Sequence, residues 1–238
     1  MELTDKVVIV TGASSGIGQA TARRLAGEGA RLVLAARRTE RIQTLAAELG
    51  QARAVTTDMR DPAQVRALVA AATDAYGGVD VLVNNAGQGL HVSVMDIALD
   101  DLEAVTELNF YAPLVATQAV VPIMRKRGGG SIVNVSSGTT LMLPTGTAGY
   151  AATKAALNML SRTARAELAN DGIAVSIVYP FLTATEFHDT LRAGEGSRPR
   201  PGLEPHRPEL VADAIAQLIA SGEEQAVLVP EQLRRSPS

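Results

Sequence analysis

The sequence predicts an α/β fold: one domain spanning residues 1–238, built on a doubly wound parallel sheet of about seven strands with helices on both faces. Two observations carry this expectation. Short runs of β-branched residues alternate with Ala/Leu-rich helical stretches along the chain, the pattern of successive βα units joined by right-handed crossovers. The runs are apolar at consecutive positions rather than alternate ones, as strands covered by helices on both faces must be. With 238 residues, 46% hydrophobic and 20% charged, the chain has enough apolar material for one large core.

In order, strands are expected over Lys6–Val10, Arg31–Ala35, Ala52–Thr57, Val79–Val83, Ser131–Val135, Ala174–Val178 and Ala226–Val229, with helices near 16–27, 39–49, 62–76, 100–126, 149–170 and 209–221. The helix at 62 has the clearest start: Asp61 as N-cap, Pro62 in the first position and Gln64 closing a capping box. The 100–126 stretch contains Pro113. Proline has no N–H, so the carbonyl four residues earlier, that of Asn109, loses its helical partner. Residues 189–208 break the alternation with Gly194, Gly196, Pro199, Pro201, Gly202, Pro205 and Pro208. A long loop inside a compact domain is a functional lid or a disordered segment, and about 186–208 is expected as a mobile substrate lid. Its Arg192, Arg198, Arg200 and Arg207, against Glu195 and Glu204, suit an anionic substrate or simply a solvated face.

The net charge of -3 gives no electrostatic case for nucleic acid or an anionic membrane as a partner. No apolar run reaches bilayer-spanning length, and Met1 to Lys6 lead into a strand without a signal pattern. Cys is absent, which removes disulfides and thiol catalysis and agrees with a cytoplasmic protein. No metal is expected, because no metal-ligand spacing occurs; His91 and His188 either touch substrate or, as the favoured reading, are solvent-exposed loop residues.

The first strand ends in Thr11-Gly12-Ala13-Ser14-Ser15-Gly16-Ile17-Gly18. Its glycines permit a tight turn and close approach of the backbone to a pyrophosphate. The helix that follows offers its first N–H groups to that anion, a Rossmann-like arrangement. The second strand ends in Leu34-Ala35-Ala36-Arg37-Arg38. A carboxylate here would hold the ribose 2′-OH of NAD. Ala36 stands in its place and Arg37 and Arg38 follow, which favours NADP(H) over NAD(H); a solvated basic turn is the other reading. Asp58, ending the third strand, is either an adenine contact or a turn residue ahead of the helix.

Three further segments reach the carboxyl edge of the sheet, where ligands bind in such folds: Asn84-Asn85-Ala86-Gly87, Ser136-Ser137 and Tyr179-Pro180. A hydroxyl at Ser137 can donate to a carbonyl oxygen that gains negative charge; a strand-capping polar residue is the alternative. Tyr150 and Lys154 sit four residues apart on one helix face. An ammonium at ~4 Å, at an effective dielectric of ~20, lowers a phenol from ~10 by up to about three pKa units, and burial takes part of that back. The net expectation is a Tyr150 near neutrality, suited to acid–base work; an ordinary helix-start pair is the alternative. Of 22 basic residues only Lys6, Lys126 and Lys154 are Lys, so a point-charge ammonium here stands out against the prevailing Arg.

Together these motifs make the chain similar to the short-chain dehydrogenase/reductase family in its compact single-domain form, over nearly its whole length. The resemblance rests on the TGxxxGxG turn at 11–18, NNAG at 84–87, Asn109, a Ser thirteen residues before the Tyr, and YxxxK at 150–154. It implies a catalytic tetrad of Asn109, Ser137, Tyr150 and Lys154, with Ser137 rather than Ser136 selected by the family spacing. It implies an NAD(P)-dependent enzyme acting on a CH–OH donor, or the matching carbonyl, of a small molecule. In reduction the hydride comes from NADPH, Ser137 orients the oxygen, Tyr150 gives the proton, and Lys154 holds the nicotinamide ribose and lowers the Tyr150 pKa. Asn109 has a water-holding role in the family, and the carbonyl freed by Pro113 is the expected anchor of that water. The cofactor contacts so implied are Gly12, Ser14, Ser15, Gly16, Ile17, Gly18, Arg37, Arg38, Asp58, Met59, Asn85, Ala86, Gly87, Tyr150, Lys154, Pro180, Thr183 and Thr185. A homodimer or homotetramer through the helices at 100–126 and 149–170 is implied as well. Phe181 departs from the Pro-Gly that usually follows the sixth strand; it lines the pocket or belongs to the core. A catalytically silent NADP-binding regulator is the competing function, and the presence of all four tetrad residues speaks against it. The substrate is set by the 88–96 loop, the 138–147 loop and the lid, which carry no readable code.

Overall fold

The computed structural model of the protein describes residues 1–195 and 204–230; residues 196–203 of the expected lid and the tail 231–238 lie outside the described residues. Seven strands form one sheet in the order β3-β2-β1-β4-β5-β6-β7, every neighbouring pair parallel. They are β1 Val7–Thr11, β2 Arg31–Ala36, β3 Ala52–Thr56, β4 Val81–Asn84, β5 Gly130–Val135, β6 Ile173–Tyr179 and β7 Gln225–Val227. The order reverses between β1 and β4, so the two halves wind outward and leave a crevice at the carboxyl ends of those strands. The register pairs Val10 with Val83 and Asn84 with Asn134, which brings the segments after β1, β4 and β5 to one edge.

Successive strand residues serve two different cores. Val8 and Val10 pack with Leu25 of α1 (Gly16–Ala26), Leu45 of α2 (Thr39–Leu49) and Ile215 of α8 (Pro208–Ser221). Val7 and Ile9 pack with Leu68 of α3 (Pro62–Tyr76), Val120 of α5 (Ala112–Lys126) and Leu168 of α7 (Ala148–Leu168). Full burial of such side chains stabilises by roughly 1.5–3 kcal/mol each, and with both faces covered the strands need no polar positions. The remaining helices are α4 (Leu99–Thr106) and the short α6 (Thr139–Met142).

Buried polar groups tie the layers together. Asp80 accepts from the Val7 N–H (2.9 Å) and from Nε and Nη2 of Arg127 (2.9 and 3.0 Å) at the amino edge of the sheet. Asn84 Nδ2 donates to Asn134 Oδ1 and Asn134 Nδ2 to Ser161 Oγ, both at 2.8 Å, a chain from β4 through β5 to α7. This chain fixes the helix that carries Tyr150 and Lys154 against the sheet.

The stretch expected as one helix over 100–126 is three pieces: α4, a π-helical turn Glu107–Tyr111, and α5. Pro113 is the physical reason. With no N–H at 113 the ladder is reset, and the Ala112 N–H donates to the Glu107 carbonyl five residues back. Asp61 caps α3 as expected, its Oδ1 accepting from Ala63 and Gln64 N–H. Gln64 differs: its Oε1 takes the Asp58 N–H (2.9 Å) and its Nε2 donates to Asp61 Oδ2 (3.0 Å), because the Asp61 N–H already donates to the Asp58 carbonyl. No helix among the described residues is long and apolar enough to cross a membrane.

Candidate active site

Gly12 and Gly16 adopt φ of +66° and +52°, where a side chain is strained, so the turn after β1 depends on glycine there. The turn is held from β4. Asn85 Nδ2 donates to the Thr11 and Gly12 carbonyls (2.9 and 3.3 Å), while Thr11 Oγ1 accepts from the Asn85 and Ala86 N–H groups at 3.0 Å each. Gly18, expected as a cofactor contact, does not line the cleft; it lies behind the turn, and a Cβ there would fall on the Gly12 carbonyl. Its role is close packing of α1 on β1. Gly18→Ala is therefore expected to cost about 1–3 kcal/mol by overpacking and to weaken nucleotide binding at least tenfold, read by thermal melting and a nucleotide titration. Wild-type values in both would contradict this reading.

A cleft of about 780 Å³ runs along the carboxyl edge. Apart from Gly18 and Asn109, the expected site residues wall it: Gly12, Ser14, Ser15, Gly16, Ile17, Arg37, Arg38, Asp58, Met59, Asn85, Ala86, Gly87, Ser137, Tyr150, Lys154, Pro180, Thr183 and Thr185. The cradle fits a dinucleotide. Its glycines leave the backbone bare, and the first turn of α1 carries no acidic side chain to oppose a pyrophosphate.

At the β2 end, Arg38 Nε donates to Ser14 Oγ (3.0 Å), Nη2 to Ser15 Oγ (2.5 Å) and Nη1 to Glu186 (2.7 Å). Asp58 accepts from the Arg60 N–H (3.0 Å), Nε (3.1 Å) and Nη2 (2.6 Å). The Arg60 guanidinium holds its carboxyl below the usual range, so Asp58 is both a turn residue and part of the wall.

At the other end Tyr150 and Lys154 are buried. Lys154 Nζ donates to the Val135 carbonyl (2.8 Å) and stands 6.0 Å from the centre of the Tyr150 ring. Burial pushes the Tyr150 phenol up to about 12, with a hydrogen bond from Ser137 working the other way, and burial brings the Lys154 ammonium down to about 8. The expectation of a near-neutral Tyr150 is thus corrected: desolvation outweighs the ammonium, which is bound to a backbone carbonyl. Ser137 Oγ accepts from the Thr139 N–H (3.2 Å) and Oγ1 (2.9 Å), and its own proton goes to the Tyr150 oxygen at the cleft wall. Ser136 is buried, and its N–H donates to the Val178 carbonyl.

Asn109 is fully buried beneath the cleft. Its Nδ2 donates to the Gln88 carbonyl (2.9 Å) and to Thr153 Oγ1 (3.1 Å), and its Oδ1 accepts the Gln88 N–H (2.9 Å). The side chain clamps the loop after β4 to α7. A Cβ at Gly87 would stand 3.2 Å from Asn109 Oδ1 and 3.3 Å from Lys154 Nζ, so both groups surround the same glycine.

The described part of the expected lid lies against this end. Phe187, on the short turn Glu186–Asp189, packs against the Tyr150 ring, centroids 5.7 Å apart and planes tilted by 56°. The His91 N–H donates to the Ala193 carbonyl (3.0 Å) and the Arg192 N–H to the Gly89 carbonyl (2.8 Å). Arg192, one of the basic residues of this segment, is paired with Asp101 at 2.6 Å. Arg198 and Arg200 lie outside the described residues. His91 and His188 are half-buried walls of the cleft rather than exposed, with rings 5.7 Å apart and His91 6.4 Å from Tyr150; burial lowers both. Phe181 lines the cleft and packs on Gly138, and its φ is not positive, so the departure from Pro-Gly carries no backbone strain. Thr139, Gln88, Thr153, Phe187 and Glu186 were not legible as site residues. Only Thr139, two positions after Ser137, had a usable signal.

The family model described as short chain dehydrogenase matches residues 6–196. An uncharacterized oxidoreductase of Staphylococcus aureus (strain USA300) is 35% identical over 215 residues, 90% of each chain. One from Staphylococcus epidermidis is 32% identical over the same share. Among solved structures, a short chain dehydrogenase/reductase from Burkholderia phymatum in complex with NAD superposes with a TM-score of 0.89 at 26% identity, covering 100% of this chain and 98% of that one. The 3-ketoacyl-(acyl-carrier-protein) reductase from Brucella melitensis complexed with NADH gives 0.86 at 28% identity, covering 94% and 95%. With its glycine turn, its parallel sheet and the Ser137–Tyr150–Lys154 wall in place, the chain belongs to the short-chain dehydrogenase family.

Proposed function

We propose that the protein is an NADP(H)-dependent oxidoreductase that interconverts a carbonyl and a secondary alcohol on a small molecule, with Tyr150 as the acid–base residue. The observation that carries it is one continuous cleft with the bare glycine turn at one end and Ser137, Tyr150 and Lys154 at the other. A bound nicotinamide supplies or accepts the hydride. Around it this chain's residues do the rest. The glycine turn and the first turn of α1 would hold its pyrophosphate, Lys154 its ribose hydroxyls, and Thr185 and Pro180 would serve the nicotinamide end. Ser137 donates to the substrate oxygen in place of its hydrogen bond with Tyr150, and the Tyr150 phenol, neutral at pH 7, gives that oxygen its proton in reduction. Asn109 positions the Gln88 backbone and α7. Phe181, Phe187 and Met142 suit a substrate with an apolar body. Exposed Tyr111 and Met159 on the two long helical stretches support a homo-oligomer, and the absence of Cys agrees with a cytoplasmic setting.

Ala36, Arg37 and Arg38 at the end of β2 support the 2′-phosphate form of the cofactor. Arg37→Asp is expected to raise the KM for NADPH at least tenfold while changing that for NADH far less; steady-state assays with each cofactor read it. Equal effects on both would remove the NADP(H) preference.

A further inference from the structure

We propose that Glu186 is a specificity-determining residue: its carboxylate competes with a 2′-phosphate for Arg38 and Arg41, and so links nucleotide choice to the seating of Phe187 against Tyr150. This rests on the reading of the β2 end as a 2′-phosphate contact. Arg38 Nη1 reaches Glu186 Oε2 at 2.7 Å, and Arg41 Nη1 reaches both Glu186 oxygens at 2.8 and 2.9 Å. The other Arg38 donors go to the hydroxyls of Ser14 and Ser15 on the glycine turn. A carboxylate held this way presents two anionic oxygens to two guanidinium groups, as the outer oxygens of a phosphate monoester would. The same guanidinium groups hold the Glu186 carboxyl below its usual range, so it is ionised at neutral pH. A phosphate brought to Arg38 meets a like charge already in place, and one of the two anions must leave.

The link to the reaction end is one residue long. Glu186 opens the turn whose next residue, Phe187, packs at a tilt against Tyr150. Thr185, just before it, fills the space beside Gly16. A single short segment therefore touches the nucleotide turn, the Arg38–Arg41 pair and the Tyr150 ring. When Glu186 leaves the guanidinium groups, the cover over Tyr150 loses its anchor at that end.

The test is calorimetric titration of wild type and Glu186→Gln with 2′,5′-ADP and with 5′-AMP. Half-exposed ion pairs shift equilibria only modestly, so 2′,5′-ADP should bind about 3- to 10-fold more tightly to the variant, with 5′-AMP unchanged. Glutamine keeps the size of the side chain, and 5′-AMP reports whether the adenosine subsite is intact. An equal change for both nucleotides overturns the proposal. If wild type prefers 2′,5′-ADP and the variant leaves that preference as it was, the NADP(H) reading stands and the competition by Glu186 is wrong. If neither protein distinguishes the two nucleotides, both fall.

Discussion

Tyr150→Phe is expected to lower kcat for carbonyl reduction by about 10²–10⁴-fold, the usual worth of a positioned general acid, with a much smaller change in NADPH affinity. The phenol is buried, Phe187 packs against its ring, and burial pushes its pKa up to about 12. At neutral pH it carries its proton and is set to donate. The same shift gives the two directions different pH dependence. Reduction uses the protonated phenol, which persists through the neutral range. Oxidation needs the phenolate, so its rate should climb with pH towards the alkaline range. The ring stays in place in the Phe variant, so its thermal midpoint should remain near that of wild type. A variant that keeps more than about a tenth of wild-type kcat would exclude Tyr150 as the proton donor.

Lys154→Met is expected to stabilise the fold while removing activity. The buried ammonium has the Val135 carbonyl as its hydrogen-bond partner, and burial lowers its pKa from 10.5 to about 8. A depression of this size corresponds to a cost on the order of 3 kcal/mol, of which the lost hydrogen bond returns about 1, leaving a net gain of about 2 kcal/mol. For a chain of this length that is a rise in Tm of about 4–8 °C. The cost in wild type is fully present below about pH 8, where folded and unfolded chains both hold the proton. Between about 8 and 10.5 the folded chain gives up its proton first, so wild-type stability rises with pH in that window. Above the ordinary phenol value of 10 Tyr150 acts in the opposite sense, keeping its proton in the fold after the unfolded chain has lost it. The Met variant should lack the rise between 8 and 10.5. Its kcat/KM should fall by about 10²–10³-fold, the loss of one preorganised donor. A variant that is less stable at pH 7, or as active as wild type, would contradict the account. Lys154→Arg should lose activity as well, because a forked guanidinium does not fit a pocket shaped to one nitrogen beside Gly87.

What the sequence made legible follows from where the physics is local. Strands β1, β2 and β4 to β6 were read from apolar runs and their bounding turns, because each is buried on both faces; β3, at the sheet edge with Arg53 and Thr56 exposed, was read from its place between two helical stretches. The site edge followed, since the parallel order forces Gly12, Asn85, Ser137 and Pro180 to one side of the sheet. The effect of Pro113 was visible as a freed carbonyl, but its consequence, a five-residue π turn dividing the helix, depends on α7 and the Gln88 loop meeting Asn109 there. The Tyr150 pKa was misread because spacing reports that a charge is near, not how much water remains. The half-buried positions of His91 and His188 arise from the 190–194 segment folding onto the 89–91 loop, and the Glu186–Arg38 contact spans 148 residues; neither leaves a local signal.

The most direct test of the central claim is hydride transfer itself. Wild-type protein incubated with NADPH deuterated at the nicotinamide C4, in turn on each face, and a panel of small ketones should consume cofactor at 340 nm and deliver deuterium to the carbinol carbon of the product alcohol, seen by mass spectrometry and NMR. Tight NADPH binding with no consumption on any ketone, or consumption without label at that carbon, would contradict it.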